Sequence, residues 1–316
     1  MTQRVLVTGG QGFIGRAIVG QLVELGRFEV LALTRQAPAA SSVAGAMYLL
    51  GGDLASQTEW QLALTNVHAI VHLAARVHVM QEAEADPLAV FRAVNVEGTL
   101  NLGRQAAAAG VKRFVFISSI KVNGEATLPG RPFKPDDIPA PQDPYDVSKM
   151  EAEHGLRQLS VDTGMEVVII RPPLVYGPGV KANFAALMRV VRRGWPLPLG
   201  MVHNQRSLVA LDNLVDFIVT CITHPQAANQ TFLVSDGQDL SNTELVRGMA
   251  QAAGVPARLV PVPVWVLQTG ASLLGKGDVV QRLCGNLQVD ISKARSLLGW
   301  VPPASVEEGL RRTMAV

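Results

Sequence analysis

At 316 residues the chain is long enough to bury a large core, as one two-lobed domain or as two domains. Hydrophobic residues make up 48% and charged ones 17%, which excludes a disordered or fibrous protein and fits an enzyme. A net charge of +2 excludes a broadly basic nucleic-acid surface, so any polyanion has to be met by local arginines.

The first β-branched run covers 4–7, with no basic-then-apolar leader before it, so a cytoplasmic protein is expected. It passes directly into Gly9-Gly10-Gln11-Gly12-Phe13-Ile14-Gly15 and a helical pattern over 13–25. Gly9 suits the tight turn, Gly12 lets a pyrophosphate approach the backbone, and Gly15 allows close helix–strand packing. The amides around Phe13 and Ile14 then open a helix N-terminus towards phosphate. The spacing is G-x2-G-x2-G rather than the G-x-G-x2-G of the standard dinucleotide fingerprint. After Gly26 as a helix cap, a second strand over 29–33 leads to Thr34 and Arg35. An arginine in place of the usual ribose-binding acid favours NADP(H), with NAD(H) as the other possibility. Asp53 and Leu54 follow the third strand, where a carboxylate can accept from an adenine amine. The next strand, 69–73, ends in Leu73, Ala74 and Ala75, small enough to leave room for a cofactor.

A helix is expected over 88–109, capped by Gly110, then a strand over 113–117 that delivers Ser118 and Ser119. Six prolines punctuate residues 129–144, so this is a loop ending where a helix over 145–163 begins. Tyr145 and Lys149 stand at i and i+4 on that helix and share a face. A neighbouring ammonium favours phenolate, and a phenol tuned this way can pass a proton to or from a carbinol oxygen. A strand over 166–170 completes the regular alternation, which argues for an α/β, doubly wound parallel sheet of Rossmann type. Beyond 177 the pattern is less regular, with helices near 183–193, 242–253, 291–298 and 306–313. The expected division is a dinucleotide-binding part over 1–176, receiving a strand and helix from about 206–235, and a smaller substrate lobe over 177–316. The longest apolar stretch, 260–274, is interrupted by Pro261, Pro263, Gln268, Thr269 and Ser272, too short and broken to span a bilayer.

Other tempting residues have plain readings. Cys221 and Cys284 rule out a disulfide framework and read as small core residues. The six histidines lack companions at ligand spacing, so no metal site is expected. Asp212 and Asp216 read as solvated or capping, and Trp265 and Trp300 as packing anchors.

The glycine turn, His72-Leu73-Ala74-Ala75, Asn95-Val96-Glu97-Gly98-Thr99, Ser118-Ser119, Tyr145 with Lys149, Arg171-Pro172-Pro173, Gly177-Pro178-Gly179 and Leu298-Gly299-Trp300-Val301-Pro302 occur in this order over most of the chain. Together they resemble the extended short-chain dehydrogenase/reductase family, which includes nucleotide-sugar epimerases, dehydratases and ketoreductases. The resemblance implies that Ser119 hydrogen-bonds the reacting carbonyl and Tyr145 is the acid/base. Lys149 would hold the nicotinamide ribose while lowering the tyrosine pKa. Asn95 and Pro172, with Pro173, would border the cofactor. It also implies a UDP-sugar substrate whose phosphates meet Asn183 and Arg206, with Arg282 as a second phosphate contact. Arg76, His78 and Lys121 would face the sugar, and helices 88–109 and 145–163 would pair across a homodimer axis.

Departures from the family narrow the chemistry. Ile120-Lys121 stands where sugar-nucleotide 4,6-dehydratases carry an acidic pair, which argues against dehydration. Asn123 replaces an aromatic common in epimerases, so the pocket over the sugar is expected to differ from theirs. Residues 118–125 and 281–290 resemble a narrower group of bacterial polysaccharide (O-antigen) cluster enzymes. On that basis the expected activity is NADPH-dependent reduction of the C4 ketone of a UDP-2-acetamido-2,6-dideoxy-4-keto-hexose to UDP-N-acetylquinovosamine. The alternative is a UDP-glucose or UDP-N-acetylglucosamine 4-epimerase with tightly bound NAD. A reductase of steroid-like substrates and a non-catalytic dinucleotide sensor are further readings, the latter disfavoured because Tyr145 and Lys149 are both present.

Overall fold

The computed structural model describes residues 2–37, 42–77, 86–273 and 277–315, apart from the side chains of 278, 279, 281 and 282. Nine strands lie in it: β1 Gln3–Thr8, β2 Phe28–Thr34, β3 Met47–Leu50, β4 Ala69–His72, β5 Arg113–Ile117, β6 Glu166–Arg171, β7 Leu174–Tyr176, β8 Leu208–Ala210 and β9 Thr231–Leu233. Seven form one sheet in the order β3-β2-β1-β4-β5-β6-β9, and all six pairings are parallel. Val5, Leu6 and Val7 in the central strand are fully buried, as a sheet covered on both faces requires. The chain runs outward on opposite sides of β1, to β2 and to β4, so a crevice opens at the C-terminal ends of these strands.

In the first half the helices are α1 Phe13–Glu24, α2 Gln61–Leu64, α3 Pro87–Phe91, α4 Thr99–Ala108 and α5 Pro144–Thr163. The second half contributes α6 Ala182–Arg192, α7 Leu211–Thr223, α8 Asn242–Ala252, α9 Val264–Leu273, α10 Gly277–Cys284, α11 Ser292–Leu298 and α12 Val306–Met314. One face of the sheet is covered by α1, α7 and α11, through Ile18, Leu22, Phe217 and Leu298. The other face carries α4 and α5, through Leu102, Ala106, Ala152 and Leu156. A separate core joins α6, α8 and α12 to the small β7–β8 sheet around Tyr176 and Met249.

The five expected strands of the first half appear with ends shifted by at most one or two residues. The segment expected to return to the main sheet does so through α7 and β9, whereas β8 pairs with β7 outside it. The expected helix over 88–109 is interrupted by a π-helical stretch, Arg92–Gly98, a feature that often marks functional sites. Gly98 at its end has no room for a side chain, since a Cβ there would lie 2.7 Å from the Leu54 backbone. Periodicity alone cannot reveal such a one-residue register slip. The apolar 260–274 stretch is in part a helix, α9, which starts just after Pro261 and Pro263.

Candidate functional site

The crevice begins at the glycine turn. Gly9 has a positive φ of 68°, and its carbonyl accepts from the Gly12 amide at 2.9 Å. A Cβ on Gly9 would lie 3.1 Å from the Ala74 amide nitrogen, and one on Gly15 only 2.0 Å from the Gly9 carbonyl oxygen. The absence of side chains at Gly9 and Gly15 therefore makes the cradle. At the N-terminus of α1 Gly12 offers no side-chain cap, so the first amides of the helix are open to an anion. The donor set and the close backbone approach fit a dinucleotide pyrophosphate.

Leu73, Ala74 and Ala75 face this turn and are held from behind. Thr8 Oγ1 accepts from the Leu73 and Ala74 amides at 3.2 and 3.1 Å and pairs with His72 Nδ1 at 2.8 Å. His72 Nε2 reaches Thr99 Oγ1 at 3.0 Å, and burial pushes the ring down to about 3. It is a neutral structural pin, with both ring nitrogens engaged. Asn95, in the π-helical stretch, clamps Arg76 by accepting from its amide at 2.8 Å and donating to its carbonyl at 3.0 Å. The same amide group also donates to Ser148 on α5 at 3.0 Å. Its polar atoms are thus used to join three segments that border the crevice.

Asp143 caps α5 by accepting from the Asp146 amide at 2.9 Å, with Pro144 in the first turn. The cap orients Tyr145, whose ring meets the buried Phe91 edge-on at 6.0 Å between centroids. Arg76 lies over the other part of that Phe91 ring at 5.9 Å. Ser119 begins a 3-10 turn in extended conformation, and its Oγ accepts from the Lys121 amide at 3.2 Å. The Ile120 amide donates to the Pro172 carbonyl at 3.0 Å, which ties the serine turn to the Pro172-Pro173 corner. Lys149 is 2% exposed, with Nζ 4.1 Å above the Phe116 ring.

The electrostatics correct one expectation. Burial pushes Tyr145 up to about 12; the Asp146 charge adds to this, and the cation that opposes it is Lys121 rather than Lys149. Lys149 itself is pushed down to about 7 by burial, against the pull of Glu153 one turn on. Lys149 is therefore a weaker perturber than the simple i, i+4 argument assumes. Lys121 lies amid three carboxylates, with Nζ 2.9 Å from Glu125, 3.0 Å from Asp143 and 3.6 Å from Asp146. The three acids converge as metal ligands would. The ammonium already supplies the cation, so the group reads as an ion-pair cluster. Asp146 is fully buried with neither carboxylate oxygen hydrogen-bonded, and burial raises it to about 7.

The remaining expected contacts are spread more widely. Arg35 and Asp53 are both highly exposed and lie 3.9 Å apart as a loose surface pair. Asn183 is exposed near the start of α6. Arg206 donates to the Gly285 carbonyl at 3.2 Å; burial lowers its pKa, and the Glu125 carboxylate partly opposes this. Arg282 belongs to α10, but its side chain lies outside the described residues, as does His78.

The sequence reading missed a buried network directly behind the site. Arg171, 1% exposed, makes a fork to Glu153 through Nε at 2.8 Å and Nη2 at 2.6 Å. Ser118 Oγ donates to the same carboxylate at 2.6 Å, and Arg171 Nη1 donates to Asn123 Oδ1 at 2.9 Å. Asn123 is thus consumed inside the protein, which is the physical reason an amide rather than an aromatic stands there. The available signal was the pairing of a buried-strand arginine with a glutamate at the spacing Tyr145, Lys149, Glu153.

Comparison with known proteins agrees with this geometry. The profile of the NAD dependent epimerase/dehydratase family matches residues 5–235. A UDP-glucose 4-epimerase of Vibrio cholerae is 52% identical over 314 residues, covering 99% of this chain and 95% of the relative. A 2-alkyl-3-oxoalkanoate reductase of Stenotrophomonas maltophilia is 30% identical, covering 99% and 98%. Among solved structures, UDP-glucose 4-epimerase of Thermotoga maritima with UDP-glucose is similar at a TM-score of 0.77 and 25% identity, covering 99% and 98%. MoeE5 in complex with UDP-glucose and NAD is similar at 0.77 and 26%, covering 99% and 97%.

These findings overturn the expected 4-ketoreductase, which rested on Arg35, on Ser119, Tyr145 and Lys149, and on the resemblance of residues 118–125 and 281–290 to a narrower group. The 52%-identical relative is an epimerase, and a similar solved structure carries NAD, so the expected NADPH preference finds no support. Ser119, Tyr145 and Lys149 are common to both chemistries and never separated them. The chain belongs to the NAD dependent epimerase/dehydratase family.

Proposed function

We propose that the protein inverts C4 of a UDP-hexose, interconverting UDP-glucose and UDP-galactose or their N-acetyl counterparts, with NAD retained between turnovers. The observation that carries the reading is the 52% identity to a UDP-glucose 4-epimerase over 99% of the chain. Residues 1–176 with α7 and β9 would hold the dinucleotide, and the β7–β8 lobe the UDP. Gly9, Gly12, Phe13 and Ile14 would take the pyrophosphate, Asp53 and Leu54 the adenosine end, and Leu73 to Ala75 with Pro172 the rest of the cofactor. Asn95 acts here through Arg76 and Ser148. Bound there, NAD supplies a reversible hydride acceptor and a positive ring charge that favours tyrosinate.

The chain's own residues do the remainder. Tyr145 takes the O4 proton as the C4–H bond breaks, and Ser119 donates a hydrogen bond to the resulting carbonyl oxygen. After the 4-keto sugar turns over, Tyr145 returns the proton to O4 as hydride returns to the other face of C4. Lys149 holds the ribose, and Asn183 and Arg206 take the diphosphate. Purified protein given UDP-glucose and no added cofactor is expected to form UDP-galactose, followed by NMR. An unchanged UDP-glucose and UDP-N-acetylglucosamine pool would sink the proposal.

Two effects follow from the site. Gly15→Val forces the turn apart, since even a Cβ meets the Gly9 carbonyl at 2.0 Å. The variant is expected to lose about tenfold or more in NAD retained per protomer, read by absorbance after denaturation. The second concerns pH. Lys121 lowers the Tyr145 pKa and Asp146 raises it. Lys121→Met is therefore expected to move the acidic limb of kcat/KM up by about one pH unit, and Asp146→Asn to move it down. Shifts of the same sign in both variants would contradict the assignment of Tyr145 as the titrating base.

A further inference from the structure

One conspicuous feature has no part in C4 inversion. Helix α9 carries no charged residue, yet Trp265 is 67% and Leu273 84% exposed, with Val266 between them also open. A buried helix can be uncharged, but a solvent-facing one is expected to be polar on its outer face. Exposed Trp195, Met201 and Val260 extend the surface. The Leu197 amide donates to the Arg258 carbonyl at 2.9 Å and the Gly200 amide to the Val260 carbonyl at 3.0 Å. The Trp195 loop therefore lies edge to edge with the segment that leads through Pro261 and Pro263 into α9.

Along the two segments that carry this surface the charges have one sign. Residues 177–211 and 245–277 contain no aspartate or glutamate, and their charged side chains are all lysine or arginine. Arg193 stacks over the Trp195 ring at 5.5 Å, and it and Arg258 are exposed. Aromatic and aliphatic groups flanked by arginines are what a phospholipid interface takes, the rings at headgroup depth and the guanidiniums on phosphate. A second copy docking through the same patch would bring arginines against arginines.

We propose that α9 and the Trp195 loop form a docking surface for an anionic lipid bilayer, which holds the enzyme peripherally at a membrane without spanning it. No described helix is long and apolar enough to cross one. Binding needs both components, apolar insertion and anionic charge.

The test is flotation of the full chain with phosphatidylcholine vesicles, with and without about 30 mol % phosphatidylglycerol, at about 0.1 M salt. The chain is expected to float with the anionic vesicles about tenfold more than with neutral ones. The double variant Trp265→Glu/Leu273→Glu is expected to lose about tenfold of that binding while keeping full turnover of soluble UDP-glucose. Should the double variant fold poorly, Arg193→Gln/Arg258→Gln is expected to lose the preference for anionic vesicles alone. Equal flotation with both vesicle types, no flotation, or unchanged binding by a folded variant overturns the proposal. So does a change in oligomeric mass of the variant by light scattering, which would assign the face to a second copy. The flotation and light-scattering readouts do not depend on the sugar reaction.

Discussion

Tyr145→Phe is expected to lower kcat for C4 inversion by about three orders of magnitude while UDP binding and thermal stability stay near those of the native chain. In the proposed reaction the phenol exchanges a proton with O4, and the change removes a single oxygen. The ring keeps its edge contact with Phe91, so the packing that orients this turn of α5 survives. Burial and the Asp146 charge hold the phenol high, at about 12, which keeps it protonated until a cation joins the site. Stopped-flow or NMR turnover of the variant reads the effect. A kcat within tenfold of the native value would move the proton transfer to another group.

Glu153→Gln is expected to give the largest loss of stability, about 3–5 kcal/mol, because it leaves the Arg171 guanidinium charged and uncompensated in the interior. Both side chains are essentially inaccessible, and the carboxylate also accepts from Ser118 and from Arg157. The loss is therefore structural first. It reaches the site because Ser118 precedes Ser119 and Glu153 lies one turn from Lys149, whose charge it favours. Calorimetry is expected to show Tm reduced by about 5–8 °C. A variant of native stability would mean that Arg171 has another partner strong enough to replace the fork.

Much of the fold was legible because its signals are local. The turn from Val7 to Gly15, the β-branched runs and the Asp143-Pro144 start of α5 announce themselves within a few residues. The candidate acid/base was legible for the same reason, since four residues on a helix define a face. Contacts closed by tertiary structure were not. Lys121, two residues past Ser119, was expected to face the sugar, and only the folded chain brings Glu125, Asp143 and Asp146 around it. Asn123 looked like a pocket residue and is instead spent on Arg171 and the Lys134 carbonyl. Arg35 looked like a 2′-phosphate ligand, but its neighbour across the turn is Asp53. The three-residue strands β7, β8 and β9 are too short to carry a period, and pairing alone defines them.

The preference for reduction over epimerisation failed for a deeper reason. Both reactions pass hydride and proton through the same carbon, oxygen, serine and tyrosine. What differs is whether the reduced cofactor leaves or gives its hydride back, a property of retention rather than of any one side chain.

The measurement that bears most directly on the account follows the C4 hydrogen itself. UDP-glucose labelled with deuterium at C4 is given to purified protein without added cofactor, and the recovered UDP-galactose is examined by NMR. The label is expected at C4 of the product, undiminished, with no net NADH in solution. Loss of the label, or product formed only when NADPH and a keto-sugar are supplied, would contradict the proposed return of hydride within one retained cofactor.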